Sequence, residues 1–377
     1  MGPQQQSPKL RNILEEHRPL WDNDRVRPSA RRAIQKALRC RTLELGANVY
    51  RSASGESRTV PHTCKSRACP SCGHMQTLRW LDEVDPRLPD VPYSSLIFTM
   101  PKEFWPIFQK ARHLLYALPA IAASVILDWA QKRYHTVVPV LIVPHTFNPK
   151  LEFNVHLHVL AGNTGITRDG GRAVRRVFWP KDVLLTGWRK ALLDFLADAL
   201  ENGALPSCQG QAALARLIEE HRTRWWKVSV QECVKKKQAV RYIARYLRRP
   251  PLAEYRLRPS DGPSCVCFVW NDKRNKNHPE VLKLPVEEFL QRFVDQVPDR
   301  YQHGVNFFGL LAPRSRPLYE CLLHCIGARL PHRPRRRRWA ASLRACFGID
   351  PLRDFLGLPM HFSHRLPPLP TGLSRAP

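Results

Sequence analysis

Alternating apolar and polar residues predict a group of β-strands in the middle of the chain. The segments PVLIVPHTF at 139–147 and FNVHLHVLAG at 153–162 have strand length and are separated by a turn, so we expect them to pair. Two further strands are predicted for SSLIFTM at 94–100 and WWKVSV at 225–230.

Helical periodicity surrounds these strands. It predicts helices at 29–38, between 100 and 134, at 188–202, at 234–248 and at 286–295, with another strand at 264–270. Strands mixed with helices in this way favour an α/β or α+β sheet domain. Turn-rich and proline-rich stretches divide the chain into three predicted segments, residues 1–88, 89–260 and 261–377, and the last dozen residues are expected to be disordered.

Two histidines lie on one face of a predicted strand. In FNVHLHV, the side chains of Val155 and Leu157 point to one face, whereas those of His156 and His158 point to the other. Two imidazoles held side by side on a rigid strand can share a metal cation with a third ligand from elsewhere. Taken alone, an HxH pair is equally compatible with two surface histidines.

Two tyrosines are one turn apart on the predicted helix KKKQAVRYIARYLRRP. Val240, Ile243, Ala244 and Leu247 form its apolar stripe, and Tyr242 and Tyr246 are expected on the opposite face, close to each other. Lysines and arginines surround both phenols, so this position favours contact with a phosphate over burial in a core.

The charge of the chain indicates a polyanionic partner. Sixty lysines and arginines against 32 aspartates and glutamates give the 377 residues a net charge of +28. The longest apolar run, at 114–127, is shorter than the roughly 20 residues that a membrane span requires, and the N-terminal residues show no secretion signal. We therefore expect a nucleic-acid partner, no membrane association and cysteines that are reduced or bound to metal.

Several motifs together resemble one family, the two-tyrosine HUH rolling-circle transposases of bacterial insertion sequences. His156-Leu157-His158 is similar to the family's metal motif, and the pair Tyr242 and Tyr246 is similar to its catalytic tyrosines. Further similar segments are CRTLELG at 40–46, HTCKSRACPSCG at 62–73, HTF at 145–147, FVWNDKR at 268–274 and FFGLLAPRSR at 307–316. The similarity therefore extends over most of the chain.

The resemblance implies an α+β fold and a reaction. The fold would be a ferredoxin-like antiparallel sheet with an N-terminal helical and zinc-binding module and a mixed C-terminal region. One tyrosine would attack single-stranded DNA at the element's end, giving a 5′-phosphotyrosine link and a free 3′-hydroxyl, and the second would act on the target DNA. Such an enzyme would work in the bacterial cytoplasm at the nucleoid. The alternatives are a plasmid or phage replication initiator and a degenerate, noncatalytic DNA-binding copy.

The resemblance also implies a metal ion at the histidine pair. Related enzymes can supply a third ligand from the tyrosine helix, which makes Gln238 our choice and His145 the competing candidate. Two imidazoles and an amide oxygen would accept Mg²⁺ or Mn²⁺, of which Mn²⁺ tolerates nitrogen better.

A cysteine cluster near the N-terminus predicts a Zn²⁺ site that is one ligand short. Cys64, Cys69 and Cys72 have suitable spacing and match the family's zinc-binding module. Where family members carry further cysteines, this chain has YRSASGES at 50–57. The candidates for the fourth ligand are His62, His74 and Cys40.

DNA contacts are expected around the tyrosine helix, because single strands are held by cations along the backbone and by aromatic rings that stack on bases. The predicted contact residues are Lys235, Lys236, Lys237, Arg241, Arg245, Arg248, Arg249, Trp225 and Trp226. The basic run at 331–338 is either a nonspecific DNA contact or a disordered segment.

Overall fold

The computed structural model describes residues 9–66, 68–205, 210–244, 246, 250–260, 262–272, 278–299, 302–329 and 338–369. Its helices are α1 (Leu10–Glu16), α2 (Arg18–Trp21), α3 (Pro28–Leu38), α4 (Gly73–Val84), α5 (Trp105–Lys110), α6 (Leu118–Tyr134), α7 (Lys181–Glu201), α8 (Gln211–His221), α9 (Lys236–Ala244), α10 (Val286–Gln296), α11 (Arg316–Cys325) and α12 (Trp339–Phe347). Its strands are β1 (Ala47–Ser52), β2 (Ser57–Pro61), β3 (Tyr93–Thr99), β4 (Thr136–Val137), β5 (Pro139–Phe147), β6 (Phe153–Gly162), β7 (Thr164–Thr167), β8 (Ala173–Arg175), β9 (Val228–Val234), β10 (Leu257–Arg258), β11 (Cys265–Asp272), β12 (His278–Pro285), β13 (Asn306–Gly309) and β14 (Met360–Leu366).

A five-stranded antiparallel sheet forms the centre of the fold. Its strand order is β13-β5-β6-β3-β9, and each neighbouring pair is antiparallel. The elements β3, α6, β5, β6, α7 and β9 follow one another as βαββαβ, and their strand order in the sheet is that of the ferredoxin-like arrangement. Strand β13 extends the sheet at the β5 edge. The predicted α+β, ferredoxin-like fold class is confirmed.

The two faces of the sheet have different surroundings. Val155, Leu157 and Val159 point into the largest hydrophobic core, which also contains buried residues of α6 and α7. Their neighbours His156 and His158 point to the other face, which α9 covers together with part of α4. The predicted alternation along β6 is therefore confirmed, and it places both imidazoles under the tyrosine helix.

The most apolar helical stretch packs in this core. Among the described residues, Arg112–Tyr134 is the one stretch that is long and apolar enough to cross a membrane, and 44% of its most apolar window is buried inside the protein. Leu118, Ala122 and Ile126 of α6 belong to the core on the α6 and α7 side of the sheet. Core packing therefore accounts for the apolar composition of this helix.

The N-terminal helices pack against residues from the predicted third segment. Trp21 and Ile34 share a hydrophobic cluster with Phe268 of β11 and Phe289 of α10. A partly buried ion network continues this contact. Asp299 accepts hydrogen bonds from Arg27 and from Arg112, whose Nε lies 3.2 Å from the carboxylate. Because Arg112 lies in the predicted segment 89–260, this carboxylate joins three distant segments.

The cysteine-rich module is completed by the C-terminal part of the chain. Strand β14 pairs with β1 in a sheet of order β14-β1-β2, and α12 packs on α4. Leu343 and Met360 lie in the same cluster as the buried cysteines. Elements of the predicted segment 261–377 therefore pack within the predicted segment 1–88.

Several predicted elements differ at their ends from those observed, and the helix predicted at 188–202 begins earlier, at Lys181. Strand β9 begins at Val228, so the two tryptophans before it lie outside the strand. Helix α9 ends at Ala244, and residues 245 and 247–249 lie outside the described residues. Most of the basic run at 331–338 and residues 370–377 of the expected disordered tail also lie outside them.

Candidate active site and metal centres

Three histidines converge on the sheet face beneath α9. The hairpin of β5 and β6 places His145 directly opposite His156, and His158 lies two residues further along β6. Their ligand atoms all lie within 4.8 Å of one another, and His145 Nδ1 is 3.2 Å from His156 Nε2. The structure therefore brings the predicted pair together with His145, the competing candidate for the third ligand.

The orientation of these imidazoles suits a shared cation. Nδ1 of His156 lies 2.9 Å from the carbonyl oxygen of Asn154, so an N–H at this position donates to the backbone and leaves Nε2 with its lone pair directed towards His145. Three converging nitrogens fit a divalent cation and favour a transition metal such as Mn²⁺ over Mg²⁺. The donor set is thus compatible with a metal ion at this site.

The two tyrosines of α9 contact this histidine cluster directly. The hydroxyl oxygen of Tyr242 lies 3.0 Å from Nδ1 of His158. The ring of Tyr246 stacks on the same imidazole, with centroids 3.5 Å apart and an angle of 18° between the planes. The two phenol rings have centroids 5.3 Å apart, and Tyr246 is 5.9 Å from His145. Ring contacts therefore join both tyrosines and the three histidines into one cluster.

The expected orientation of the tyrosines on the helix was wrong. Ala239, Val240 and Ile243 are the buried residues of α9, and the half-buried Tyr242 and Tyr246 pack against the same cluster. The helical wheel predicted the opposite face because it treated the packed face as purely apolar. The sheet beneath α9 carries imidazoles beside its apolar residues, so a phenol can pack and reach a polar centre at once.

Gln238 lies on α9 one turn before Tyr242, and its side chain is exposed. Gln238 therefore lies on the exposed face of α9, away from its buried residues, as the sequence predicted. His145, by contrast, lies within the histidine cluster itself.

The predicted DNA contacts fall into four groups. Lys235, Lys237 and Arg241 are exposed on or next to α9, whereas Lys236 is half-buried and lies 3.7 Å from the carboxylate of Asp85. Arg245, Arg248 and Arg249 lie outside the described residues. The two aromatic candidates differ in exposure: Trp225 is 68% exposed, whereas Trp226 is 2% exposed.

The assignment of Trp226 to DNA binding was wrong. Its ring is packed against Phe104 and His221, with centroids 5.8 and 6.3 Å away, in the core of the five-stranded sheet. The two consecutive tryptophans precede β9, and their exposures show that one side chain faces solvent while the other faces the core. Trp225 therefore remains as the aromatic candidate for stacking on a base.

Four cysteines form the second candidate metal centre. Cys40 follows α3, Cys64 lies in the loop after β2, and Cys69 and Cys72 lie in the turn before α4. Their sulfur atoms all lie within 4.8 Å of one another, and those of Cys64 and Cys72 are 3.6 Å apart. A tetrahedron with Zn–S bonds of about 2.3 Å has edges of about 3.8 Å, so the cluster fits one Zn²⁺.

Cys40 occupies the position of the missing fourth ligand. The other two candidates are directed elsewhere. His62 has its ring nitrogens 3.0 Å from the carbonyl oxygen of Leu45 and 3.2 Å from the side-chain oxygen of Asn48, and His74 is exposed.

The thiols of this cluster also influence one another's ionisation. Hydrogen bonding to the sulfur of Cys40 raises the pKa of Cys64, Cys69 and Cys72, while the same bonds lower the pKa of Cys40. A bound Zn²⁺ supplies the positive charge that lets all four thiols ionise.

Comparisons with known proteins agree on one kind of protein. A family profile described as "Putative transposase" matches residues 140–317, and one described as "Transposase zinc-binding domain" matches residues 13–100. The chain is 28% identical over 339 residues to the "Transposase for insertion sequence element IS801" of Pseudomonas savastanoi pv. phaseolicola, covering 86% of this chain and 80% of that protein. It is 27% identical over 304 residues to the "Putative transposase y4qJ" of Sinorhizobium fredii (strain NBRC 101917 / NGR234), covering 76% of each. No solved structure matches significantly.

Proposed function

The chain belongs to the insertion-sequence transposases that carry an N-terminal zinc-binding domain, and from this membership we propose that it cleaves and rejoins single-stranded DNA through 5′-phosphotyrosine intermediates. The observation that supports this chemistry is the contact of both Tyr242 and Tyr246 with His158 in a cluster of three imidazoles. The partners would be single-stranded DNA at the element's ends and the target DNA. Such a protein would act at the nucleoid in the bacterial cytoplasm.

The reaction exchanges one phosphodiester for another. The phenol oxygen of one tyrosine attacks phosphorus, and the bond from phosphorus to the 3′-oxygen of the preceding nucleotide breaks. The phenol loses a proton and the leaving oxygen gains one, which gives a 3′-hydroxyl and a tyrosine joined to the 5′-phosphate. Attack by a 3′-hydroxyl on this ester reverses the exchange, so rejoining needs no further energy source.

The histidines position both the phosphate and the nucleophile in this proposal. Bound to the three imidazoles, Mn²⁺ or Mg²⁺ would supply a Lewis acid that neutralises negative charge on the scissile phosphate. His158 would hold the ion through Nε2, and its Nδ1 would then carry the proton and donate to the oxygen of Tyr242, 3.0 Å away. That hydrogen bond would stabilise negative charge on the attacking oxygen and hold it at the cluster.

A doubly labelled cleavage assay tests the proposal. Single-stranded oligonucleotides tiled across the DNA on both sides of the gene, labelled at either end, are incubated with the native protein and Mn²⁺. We expect a detergent-resistant protein band that carries the 3′ label, together with a free 5′-labelled fragment that a polymerase can extend. The 5′ label in the protein band would contradict the proposed polarity. Binding without any adduct would favour the noncatalytic DNA-binding alternative.

The number and position of the cleavage sites distinguish the proposed transposase from a replication initiator, which is the remaining alternative. A replication initiator would form the same adduct at a single origin and not at two ends of a mobile element. We expect adducts with DNA from both sides of the gene. Adducts confined to one origin-like site would favour the initiator.

Replacing His145 and Gln238 separately decides the third metal ligand. We expect His145→Ala to weaken Mn²⁺ binding by more than the roughly 10–100-fold that loss of a partner outside the coordination sphere costs. Gln238→Ala, which removes an exposed amide, should leave Mn²⁺ binding within about twofold of the native value. Free Mn²⁺ is measured by electron paramagnetic resonance, which needs no DNA. The opposite pattern would assign the third position to Gln238.

A further inference from the structure

A basic groove crosses the cysteine-rich module, and none of its lining residues belongs to the cluster of His145, His156, His158, Tyr242 and Tyr246. It encloses about 610 Å³. Its charged lining residues are Lys36, Arg39, Lys65, Arg79 and Arg365, and none of the described residues that line it is a carboxylate. Asn48, His62 and Trp339 are among its other lining residues.

Chain segments that are distant in sequence form this groove. Lys36 and Arg39 belong to the end of α3, Lys65 to the loop after β2, and Arg79 to α4. Arg365 belongs to β14, which reaches the module from the other end of the chain. The five cations come from four elements, and Arg365 joins the other four because β14 pairs with β1.

The charges of this groove are largely uncompensated within the protein. Arg39 is 3.5 Å from the carboxylate of Glu44. Across the described part of the chain, no ion pair involves Lys36, Lys65, Arg79 or Arg365. Placing like charges around one concavity is unfavourable, and a bound polyanion removes that cost.

The cysteine cluster holds two of these cations in place. Arg39 directly precedes Cys40, and Lys65 directly follows Cys64. Backbone N–H groups of Cys64 and Ser66 donate to sulfur atoms of Cys40 and Cys64, both at 3.4 Å. The cluster therefore determines where the groove presents its positive charge.

We propose that this groove is a second DNA-binding site, which holds the phosphodiester backbone separately from the cleavage centre. The proposal rests on DNA being the partner of the protein, as proposed above, but not on the tyrosine chemistry. Cations without carboxylates suit a repeating phosphate chain, whose binding releases condensed counterions. The half-buried Trp339 stacks on Tyr50 with centroids 5.7 Å apart, which keeps one wall of the groove rigid.

Two variants with equal charge change test the groove. The groove variant carries Lys36→Gln, Arg79→Gln and Arg365→Gln. The control carries Lys110→Gln, Lys132→Gln and Arg175→Gln, which are exposed cations on other elements. Binding to a fluorescent 30-nucleotide oligo-dT and to a 30-base-pair duplex of random sequence is measured by anisotropy between 50 and 300 mM salt. Zinc content and the melting temperature show whether both variants are folded.

We expect the groove variant to bind at least about tenfold more weakly at low salt, with a log–log salt slope shallower by about 2 to 3. Each lost phosphate contact removes about 0.7 from the slope for single strands and about 0.9 for duplex. The control should change the slope by less than about 1. A loss confined to one probe identifies which form of DNA the groove binds. Equal losses in both variants would overturn the proposal, because net charge alone would then explain them.

The rate of adduct formation tests the second DNA-binding site independently of the proposed tyrosine chemistry. At saturating oligonucleotide, the groove variant should form the covalent adduct as fast as the native protein. Loss of the adduct at saturation would overturn a separate site. If the native protein forms no adduct while the groove variant still loses affinity, the groove is supported and the tyrosine chemistry fails.

Discussion

A protein carrying Tyr242→Phe and Tyr246→Phe is expected to bind single-stranded DNA as tightly as the native chain and to form no covalent adduct with it. In the proposed mechanism either phenol oxygen would serve as the nucleophile, because both phenols touch the histidine cluster. Replacing both leaves the rings packed but removes each attacking atom. Adduct formation should therefore fall by about a thousandfold or more, since loss of a nucleophile removes the whole covalent route.

The control for this experiment removes a phenol elsewhere. Tyr255 is 78% exposed, and Tyr255→Phe should leave adduct formation unchanged. The single variants Tyr242→Phe and Tyr246→Phe then show which oxygen attacks first. Loss of the hydrogen bond between Tyr242 and His158 should cost only about 0.5–1.5 kcal/mol of stability, so the variants remain folded. An adduct that persists in the double variant would show that another side chain is the nucleophile.

Replacing Cys40 with serine is expected to remove zinc from the N-terminal module. The native chain should carry one tightly held Zn²⁺ there, because four sulfurs within 4.8 Å of one another match a tetrahedral thiolate site. Binding of structural Zn²⁺ contributes roughly 10–16 kcal/mol in small zinc modules, so losing one of four ligands should also unfold the module's loops. Zinc content after dialysis and the melting temperature measure both effects.

His74 provides the matched control for the zinc site. It lies in the same segment but is exposed, so His74→Ala should retain full zinc content and stability. Substitution of Co²⁺ for Zn²⁺ gives a spectroscopic test, since sulfur-to-cobalt charge-transfer absorption depends on the number of thiolate ligands. That absorption should be lower in Cys40→Ser and unchanged in His74→Ala. Zinc retained in Cys40→Ser and lost in His74→Ala would assign the fourth position to the histidine.

Local patterns were sufficient to predict the elements that carry the chemistry. The bounds predicted for the strand pair, 139–147 and 153–162, coincide with β5 and β6. The alternation along β6 correctly placed His156 and His158 on one face, and helix α10 lies where its periodicity predicted it. These predictions depend on neighbouring residues only, because side-chain direction in a strand or helix repeats every few positions.

His145 shows how register decides a site that local patterns leave open. In the β5–β6 pairing, the numbers of facing residues have a constant sum from Val140 and Ala161 to His145 and His156. A turn centred between the two predicted strands would have placed His145 opposite Val155, on the other face of β6 from the histidine pair. The register shift between His145 and Phe147 brings His145 opposite His156 instead, so only the exact register of the hairpin reveals this third imidazole.

The sequence by itself determined which kinds of side chain this protein offers and the local faces of its elements. It specified an HxH pair on a strand, two tyrosines one turn apart and a cluster of thiols, and its motifs pointed to the correct family. Only the tertiary structure selected Cys40 over two histidines, turned both tyrosines onto the histidine face, buried Trp226 and paired β14 with β1. The physical reason is the sequence separation of the interacting residues. Periodicity relates near neighbours, whereas these outcomes depend on packing and strand pairing between distant segments.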